Sequence, residues 1–230
     1  MTYLSPAKIN LFLHVISKRS DGYHNLQTIF QLLDYCDEIN IDYRNDGEIN
    51  RISGNEEIPK EQDLIIRGAN ILKKITESKG GADISIVKKI PTGGGLGGGS
   101  SNAATVLIAL NELWNLNLSK ERLMDIGLNL GADIPVFING HSSWGEGIGE
   151  ILTPIILPKY FYLIVSINKH ISTLEVFTHK ALTISPVQRK MSNFSSVSNP
   201  HNDCLEAAID LESEIEDALI HLNSTKRHID

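Results

Sequence analysis

The clearest pattern in the sequence is a two-residue alternation near its start. Ala7, Ile9, Leu11, Leu13 and Val15 share one side of an extended chain, and Lys8, Asn10, Phe12 and His14 share the other. This predicts a strand over 7–15 with one face in the core and a polar face turned to a cleft or to solvent. Ser20-Asp21-Gly22 marks a turn, further strands are expected over 26–33 and 38–43, and Asn45-Asp46-Gly47 marks the next turn. The spacing then changes to three and four: Leu64, Ile65, Ala69, Leu72 and Ile75 predict a helix over 63–76. Alternation returns over 82–90 and runs into a glycine-rich loop.

Beyond the loop, Ala103, Val106, Leu107, Leu110, Leu113 and Trp114 predict a helix beginning near Ser100, and another is expected over 119–129. Residues 161–167 read as a buried strand that opens a second unit, and the acidic run 212–217 reads as a solvated helix face. Pro154 and Pro158 meet a composition shift, which divides the chain into residues 1–155 and 156–230.

Composition narrows the function. A chain that is 41% hydrophobic and 21% charged folds as a globular protein. A net charge of -7 with no basic stripe argues against a nucleic-acid partner. An acidic protein can still hold an anion where local donors and a metal ion do the holding. Cys36 and Cys204 stand far apart in no metal or redox spacing, which suits a reducing cytoplasm. Lys8 and Asn10 interrupt the apolar N-terminal stretch, so no export signal is read there. The longest apolar run, 160–167, is too short to cross a bilayer, so no membrane partner is expected. The eight histidines form no HExxH-type pairing, so no protein metal site is read from the sequence.

The loop from Pro91 to Asn102 carries the chemistry. Gly93, Gly94, Gly95, Gly97, Gly98 and Gly99, broken only by Leu96, place six glycines in seven positions before Ser100, Ser101 and Asn102. Glycine lets a ligand approach bare backbone, and a loop opening onto a helix start aims unpaired N–H groups and the positive end of the helix dipole at one point. That is an anion site, with phosphate the usual occupant. Ser100 or Ser101 can cap the helix or offer a hydroxyl to phosphate or Mg²⁺. The bland alternative is a flexible linker. Gly93, Gly95 and Gly98 also satisfy GxGxxG, but so dense a glycine run satisfies many patterns, and the preceding strand alternates where a dinucleotide fold has a continuous apolar run. No Gly-Lys-Ser/Thr follows, and the segments of a protein kinase are absent.

Four stretches occur in order: Ser5-Pro-Ala-Lys-Ile-Asn-Leu11, Asp21-Gly-Tyr-His24, Gly94-Gly-Leu-Gly-Gly-Gly-Ser-Ser-Asn-Ala-Ala104 and Leu130-Gly-Ala-Asp-Ile-Pro-Val-Phe137. As a set they resemble the 4-diphosphocytidyl-2-C-methyl-D-erythritol kinase family of the GHMP kinase superfamily, over residues 5–150, thinning afterwards to Phe177 and Asn202-Asp203-Cys204. The resemblance implies an α+β fold of two domains, the first with a βαβ unit of left-handed crossover and the second a helix-backed antiparallel sheet. It implies a cytoplasmic enzyme of the isoprenoid precursor route, a monomer or weak homodimer. Its reaction would be in-line transfer of the ATP γ-phosphoryl group, with Mg²⁺, to the 2-hydroxyl of a small-molecule cytidine diphosphate derivative. Asp133 would be the general base, with a turn or helix-cap residue as its bland reading. Lys8 would hold the attacking oxygen and the developing phosphate charge, beside Asn10 on the same face. Tyr23 and His24 would recognise cytosine, with Phe177 closing the other face of the ring or serving as a core aromatic. Leu64 and Lys88 would line the adenine pocket, although Asp63 stands where the family often has Asn.

The chain stops at Asp230, before the Gly-Ser/Thr-Gly loop that the family carries near its C-terminus. The expectation is therefore a second domain truncated before its third glycine motif. Three alternatives stand beside the kinase: a nucleotide-binding relative with weak catalysis, a nicotinamide-dependent dehydrogenase, and another GHMP kinase for mevalonate or homoserine. The dehydrogenase leaves Lys8, Asp133 and Tyr23-His24 unexplained, and the other kinases make Tyr23-His24 a coincidence.

Overall fold

Strands β1 (Thr2–Lys18) and β2 (His24–Arg44) form one long antiparallel hairpin, with Thr2 opposite Asn40 and Lys18 opposite His24. The structure is a computed structural model that describes residues 1–167, 169–191 and 201–226. The hairpin closes as its turn residues dictate. Gly22 takes φ +90°, the Arg19 amide donates to the Tyr23 carbonyl at 2.8 Å, and the Asp21 carboxylate accepts the Tyr23 amide at 3.1 Å.

Two expectations need correction here. The strands expected over 26–33 and 38–43 are one continuous strand, because Asp34 to Asp37 hold no glycine or proline to break it, and Cys36 and Asp37 pair with Pro6 and Ser5. The supposedly polar face of β1 is covered as well. Lys8, Phe12 and His14 are at most 6% exposed, whereas Ile9, Leu11 and Leu13 are only partly buried. Register shifts between Pro6 and Lys8 and between Asn10 and Leu13 upset strict alternation, as bulges do. The glycine loop lies over Lys8, whose amide donates to the Leu96 carbonyl at 2.9 Å, and Trp144 packs on Phe12.

β3 (Ile49–Ser53), helix α1 (Leu64–Thr76) and β4 (Gly81–Val87) follow, then helices α2 (Gly98–Leu113), α3 (Lys120–Leu128) and α4 (Ile134–Asn139). Strands β5 (Ser143–Glu146) and β6 (Ile151–Pro154) complete a six-stranded sheet ordered β3-β4-β2-β5-β6, with β1 added against β2. Only β3 and β4 are parallel, joined through α1 as a parallel pair requires. The result is a mixed sheet with packed helices, an α+β arrangement. Asp63 caps α1 by accepting the Ile65 amide; Ile65, Ala69 and Leu72 form its buried stripe as the spacing predicts, whereas Leu64 is only partly buried and Ile75, expected on the same face, is 44% exposed. α2 is buried from Ser101 to Leu110 except at Ile108, and so forms the centre of the helical layer. Its Leu107 and Leu110 meet Ile39, Ile41, Ile84 and Ile134 in the main core, each worth about 1.5–3 kcal/mol of burial.

After Pro154 the described residues contain helices α5 (Thr173–Thr178), α6 (Leu205–Leu211) and α7 (Glu214–Lys226) and no strand. The strand expected over 161–167 is therefore corrected. Phe161, Leu163 and Val165 are 107%, 82% and 49% exposed while Tyr162 and Ile164 are partly buried, so the alternation is real, but residues 161–167 are not in a strand. Glu214, Glu216 and Asp217 lie in the first turn of α7 and are exposed, which suits the positive end of its dipole. Among the described residues no helix is long and apolar enough to cross a membrane.

Candidate functional site

β4 leads into the glycine loop, where Gly93, Gly95 and Gly97 take φ of +76°, +72° and +72°, a region that side chains disfavour. α2 begins at Gly98, two residues before the expected start, so Gly97 occupies the cap position and neither Ser100 nor Ser101 caps the helix. The loop glycines serve different neighbours. A Cβ on Gly97 would lie 2.7 Å from Phe137 Cζ and 3.2 Å from Lys8 Cε, whereas one on Gly95 would enter open space. Gly97 thus lets Lys8 and Phe137 approach from the protein side, and Gly95 leaves backbone bare on the open side.

Lys8 is the centre of the arrangement. Its ammonium donates to Asn10 Oδ1 at 2.8 Å and to the Gly95 carbonyl at 2.9 Å, and stands 3.5 Å from Asp133 Oδ2. It also lies 5.8 Å from the centroid of the Phe30 ring. Asn10 is held in turn by donating to Thr28 Oγ1 at 2.7 Å, and Thr28 donates to the Phe12 carbonyl. Asp133 precedes α4 in the cap position, yet its side chain caps nothing. The carboxylate, about a third exposed, is directed instead to Lys8. Three separate stretches of sequence therefore meet at one ammonium group.

A second, buried network sits behind the loop. Asp37 is fully buried and accepts the Lys89 and Ile90 amides at 2.7 and 2.9 Å, Asn102 Nδ2 at 2.9 Å, and the Lys88 ammonium. Burial pushes its carboxyl up, but these donors outweigh burial and hold it below its ordinary value. Asn102 also donates to Ser5, whose hydroxyl donates to Ser101 at 2.8 Å. Lys88, Ser101 and Asn102, expected at the nucleotide, thus have their polar atoms in this network, while Ser100 is partly exposed on the Gly131 side. The sequence reading missed Asp37 because it lay in the supposed gap between strands, and missed Thr28, Phe30 and Ser5 because they look like ordinary strand residues.

Leu64 reaches Gly99, Lys88 reaches Gly98 and Pro91 reaches Gly94, each at 3.3–4.0 Å from the position a Cβ would take, so these residues line the loop. His170 lies against Gly93, with Nδ1 2.2 Å from that position, and was not anticipated. His24 is buried and its ring is 5.6 Å from that of Phe177, while Tyr23 is 57% exposed beside it. Burial and then the charge of Lys18 lower the affinity of His24 for a proton. Asp63, the departure from the family pattern, is buried and paired with Arg51 at 2.7 Å. Burial and then the charge of Asp203 push the Cys204 thiol up to about 11 against the opposing charge of Lys8, which disfavours the thiolate. Hollows of about 470 and 410 Å³, on α1 and around Trp114, share no residue with the Lys8 cluster.

The chain carries a mixed sheet, a glycine loop between β4 and α2 and a Lys–Asp pair at the loop's edge, and it is a small-molecule kinase of the GHMP class, with residues 63–141 matching the GHMP kinases N terminal domain. The chain is 60% identical over 228 residues to a 4-diphosphocytidyl-2-C-methyl-D-erythritol kinase of Ruthia magnifica subsp. Calyptogena magnifica, covering 99% of this chain and 80% of that protein. It is 43% identical over 228 residues to the protein of the same name from Cupriavidus necator, covering 97% and 78%. The crystal structure of a 4-(cytidine 5'-diphospho)-2C-methyl-D-erythritol kinase superimposes with a TM-score of 0.72 at 30% identity, over 95% of this chain and 81% of that one. The chain belongs to the 4-diphosphocytidyl-2-C-methyl-D-erythritol kinase family.

Proposed function

We infer that this protein phosphorylates the 2-hydroxyl of 4-diphosphocytidyl-2-C-methyl-D-erythritol at the expense of ATP, a step of isoprenoid precursor biosynthesis. The observation that carries the mechanism is the Asp133 carboxylate, which caps no helix and stands 3.5 Å from a buried lysine beside the glycine loop. Asp133 takes the hydroxyl proton as general base. Lys8, already bonded to Asn10 and Gly95, holds the attacking oxygen and offsets the charge that develops on the transferred group. ATP supplies the phosphoryl group, and the amides of the Gly93–Gly99 loop and the first turn of α2 face its phosphates. Mg²⁺, when bound with ATP, would supply positive charge to the transferred group, and the Asp133 carboxylate and the Ser100 hydroxyl would be oxygens able to hold it. Phosphoryl transfer asks chiefly for positioning and charge stabilisation, which fixed donors of this kind supply.

His24 and Phe177 support the choice of acceptor. A neutral imidazole can both donate and accept at the edge of a cytosine, and Phe177 and Tyr23 offer aromatic faces for stacking. Leu64 and Lys88 border the adenine side. On the same reading the chain divides near Pro154 into units 1–155 and 156–230, its βαβ unit has a left-handed crossover, and it works in the cytoplasm as a monomer or weak dimer. A coupled ADP-release assay offering diphosphocytidyl-methylerythritol, mevalonate and homoserine in parallel tests the substrate. ADP release with the first acceptor alone is expected, and release with mevalonate or homoserine instead would overturn the assignment.

A further inference from the structure

We propose that His14, His201 and Asp203 form a binding site for a zinc-type divalent transition-metal ion, separate from the Lys8 cluster. The three side chains come from β1 and from the turn before α6, and their ligand atoms lie within 4.8 Å of one another. The His14 side chain is 96% buried, and its Nδ1 has no hydrogen-bond partner among the described residues although it points to within 3.4 Å of Asp203 Oδ2. A buried polar atom left in that state is costly and unusual, and a metal ion relieves it directly. His201 approaches the other carboxylate oxygen, Oδ1, at 2.6 Å, and the two imidazoles stack at 5.3 Å.

The geometry suits a small tetrahedral ion. Bonds of about 2.0–2.1 Å to nitrogen and oxygen set neighbouring ligand atoms about 3.3 Å apart. His14 Nδ1 and Asp203 Oδ2 already have that separation, whereas His201 lies against the other oxygen, Oδ1. The half-exposed His201 ring therefore shifts on binding to bring the three ligand atoms, within 4.8 Å of one another here, to about 3.3 Å. Two imidazoles and one carboxylate are a donor set that favours zinc over magnesium, with water as fourth ligand. The carboxylate is held from behind, since Val15 N donates to Oδ2 at 2.8 Å and Ser185 Oγ donates to Oδ1 at 3.0 Å. Backbone bonds from Leu13 to His201 and from Asp203 to Leu13, both 2.9 Å, fix strand and turn together. His201 is half exposed and gives the ion a way in. Arg189 brings a positive charge towards His14, so the ion binds against one cation and affinity is moderate. Its effect is to fasten β1, which carries Lys8 and Asn10, to the turn that follows residue 200.

Calorimetric titration of the chelator-treated full chain with Zn²⁺, without nucleotide, tests the site. One equivalent is expected to bind, Co²⁺ to give the visible absorption of a four-coordinate ion, and Mg²⁺ to leave that spectrum unchanged. His201→Ala removes a half-exposed ring outside the core, and His14→Phe keeps the ring packing on Phe12. Each should weaken Zn²⁺ binding by at least about tenfold. The proposal fails if the wild-type chain binds no Zn²⁺, if both variants bind it as well as wild type, or if Mg²⁺ displaces Co²⁺.

Discussion

Up to Pro154 the chain is a packed sheet and helix layer; beyond it the described chain touches that body only at selected points. In the first region the buried aliphatics of β2, β4, α1, α2 and α4 form one continuous core. In the second, Val176 and Ala207 are the buried hydrophobic residues among those described, and Ile156 and Phe161 are fully exposed. Yet the second region supplies Phe177 against His24, His170 against Gly93, and Asp203 beneath Val15. The difference teaches a division of labour. Phosphoryl transfer needs groups held to a fraction of an ångström, and these sit on elements fixed by the core. On the proposed function, recognition of the acceptor takes Phe177 from the second region beside Tyr23 and His24 of the first, and the second region joins two smaller cores through Ile155, Leu157 and Ile164.

This contrast can be broken by substitution, and the largest effect belongs to the buried network. Asp37→Asn leaves Lys88 facing an amide and should cost about 3–5 kcal/mol in urea denaturation. Because the folded carboxyl titrates below its unfolded value, its contribution is complete above about pH 4 and is lost as pH falls through the folded pKa. Stability of the wild type should therefore decline on acidification below about pH 4 more steeply than that of the variant. Next is Ile84→Ala in the core, expected to cost about 2–5 kcal/mol. His24→Ala should weaken apparent acceptor affinity by about 1–3 kcal/mol with turnover nearly retained, as steady-state kinetics would show. The smallest is Phe161→Ser, which should stay within about 0.5 kcal/mol of wild type. A loss there equal to that of Ile84→Ala would erase the distinction between the regions.

Much of the first region was legible because local chemistry and tertiary context agree there. The spacing from Leu64 to Ile75 gave α1 with its capping Asp63, and Ser119 and Asn129 bound α3 where the spacing ends it. The glycine run announced a phosphate loop on its own, whereas the roles of Lys8 and Asp133 came from resemblance. What stayed hidden depended on partners distant in the chain. Asp37 resembles a turn residue until the amides of Lys89 and Ile90 come to it. Residues 161–167 have a strand's alternation but are not in a strand. His201 and Asp203 stand two residues apart, but His14 sits far upstream in an apolar strand, so no spacing rule could bring it to them.

The role of Asp133 is tested most directly by measuring kcat and acceptor KM for Asp133→Asn in the ADP-release assay. The amide keeps the shape of the carboxylate but cannot take a proton. kcat should fall by about 10²–10⁴-fold while KM changes by no more than a few-fold. Turnover that survives while KM rises steeply would make Asp133 a residue of the binding framework and would contradict its assignment as the base.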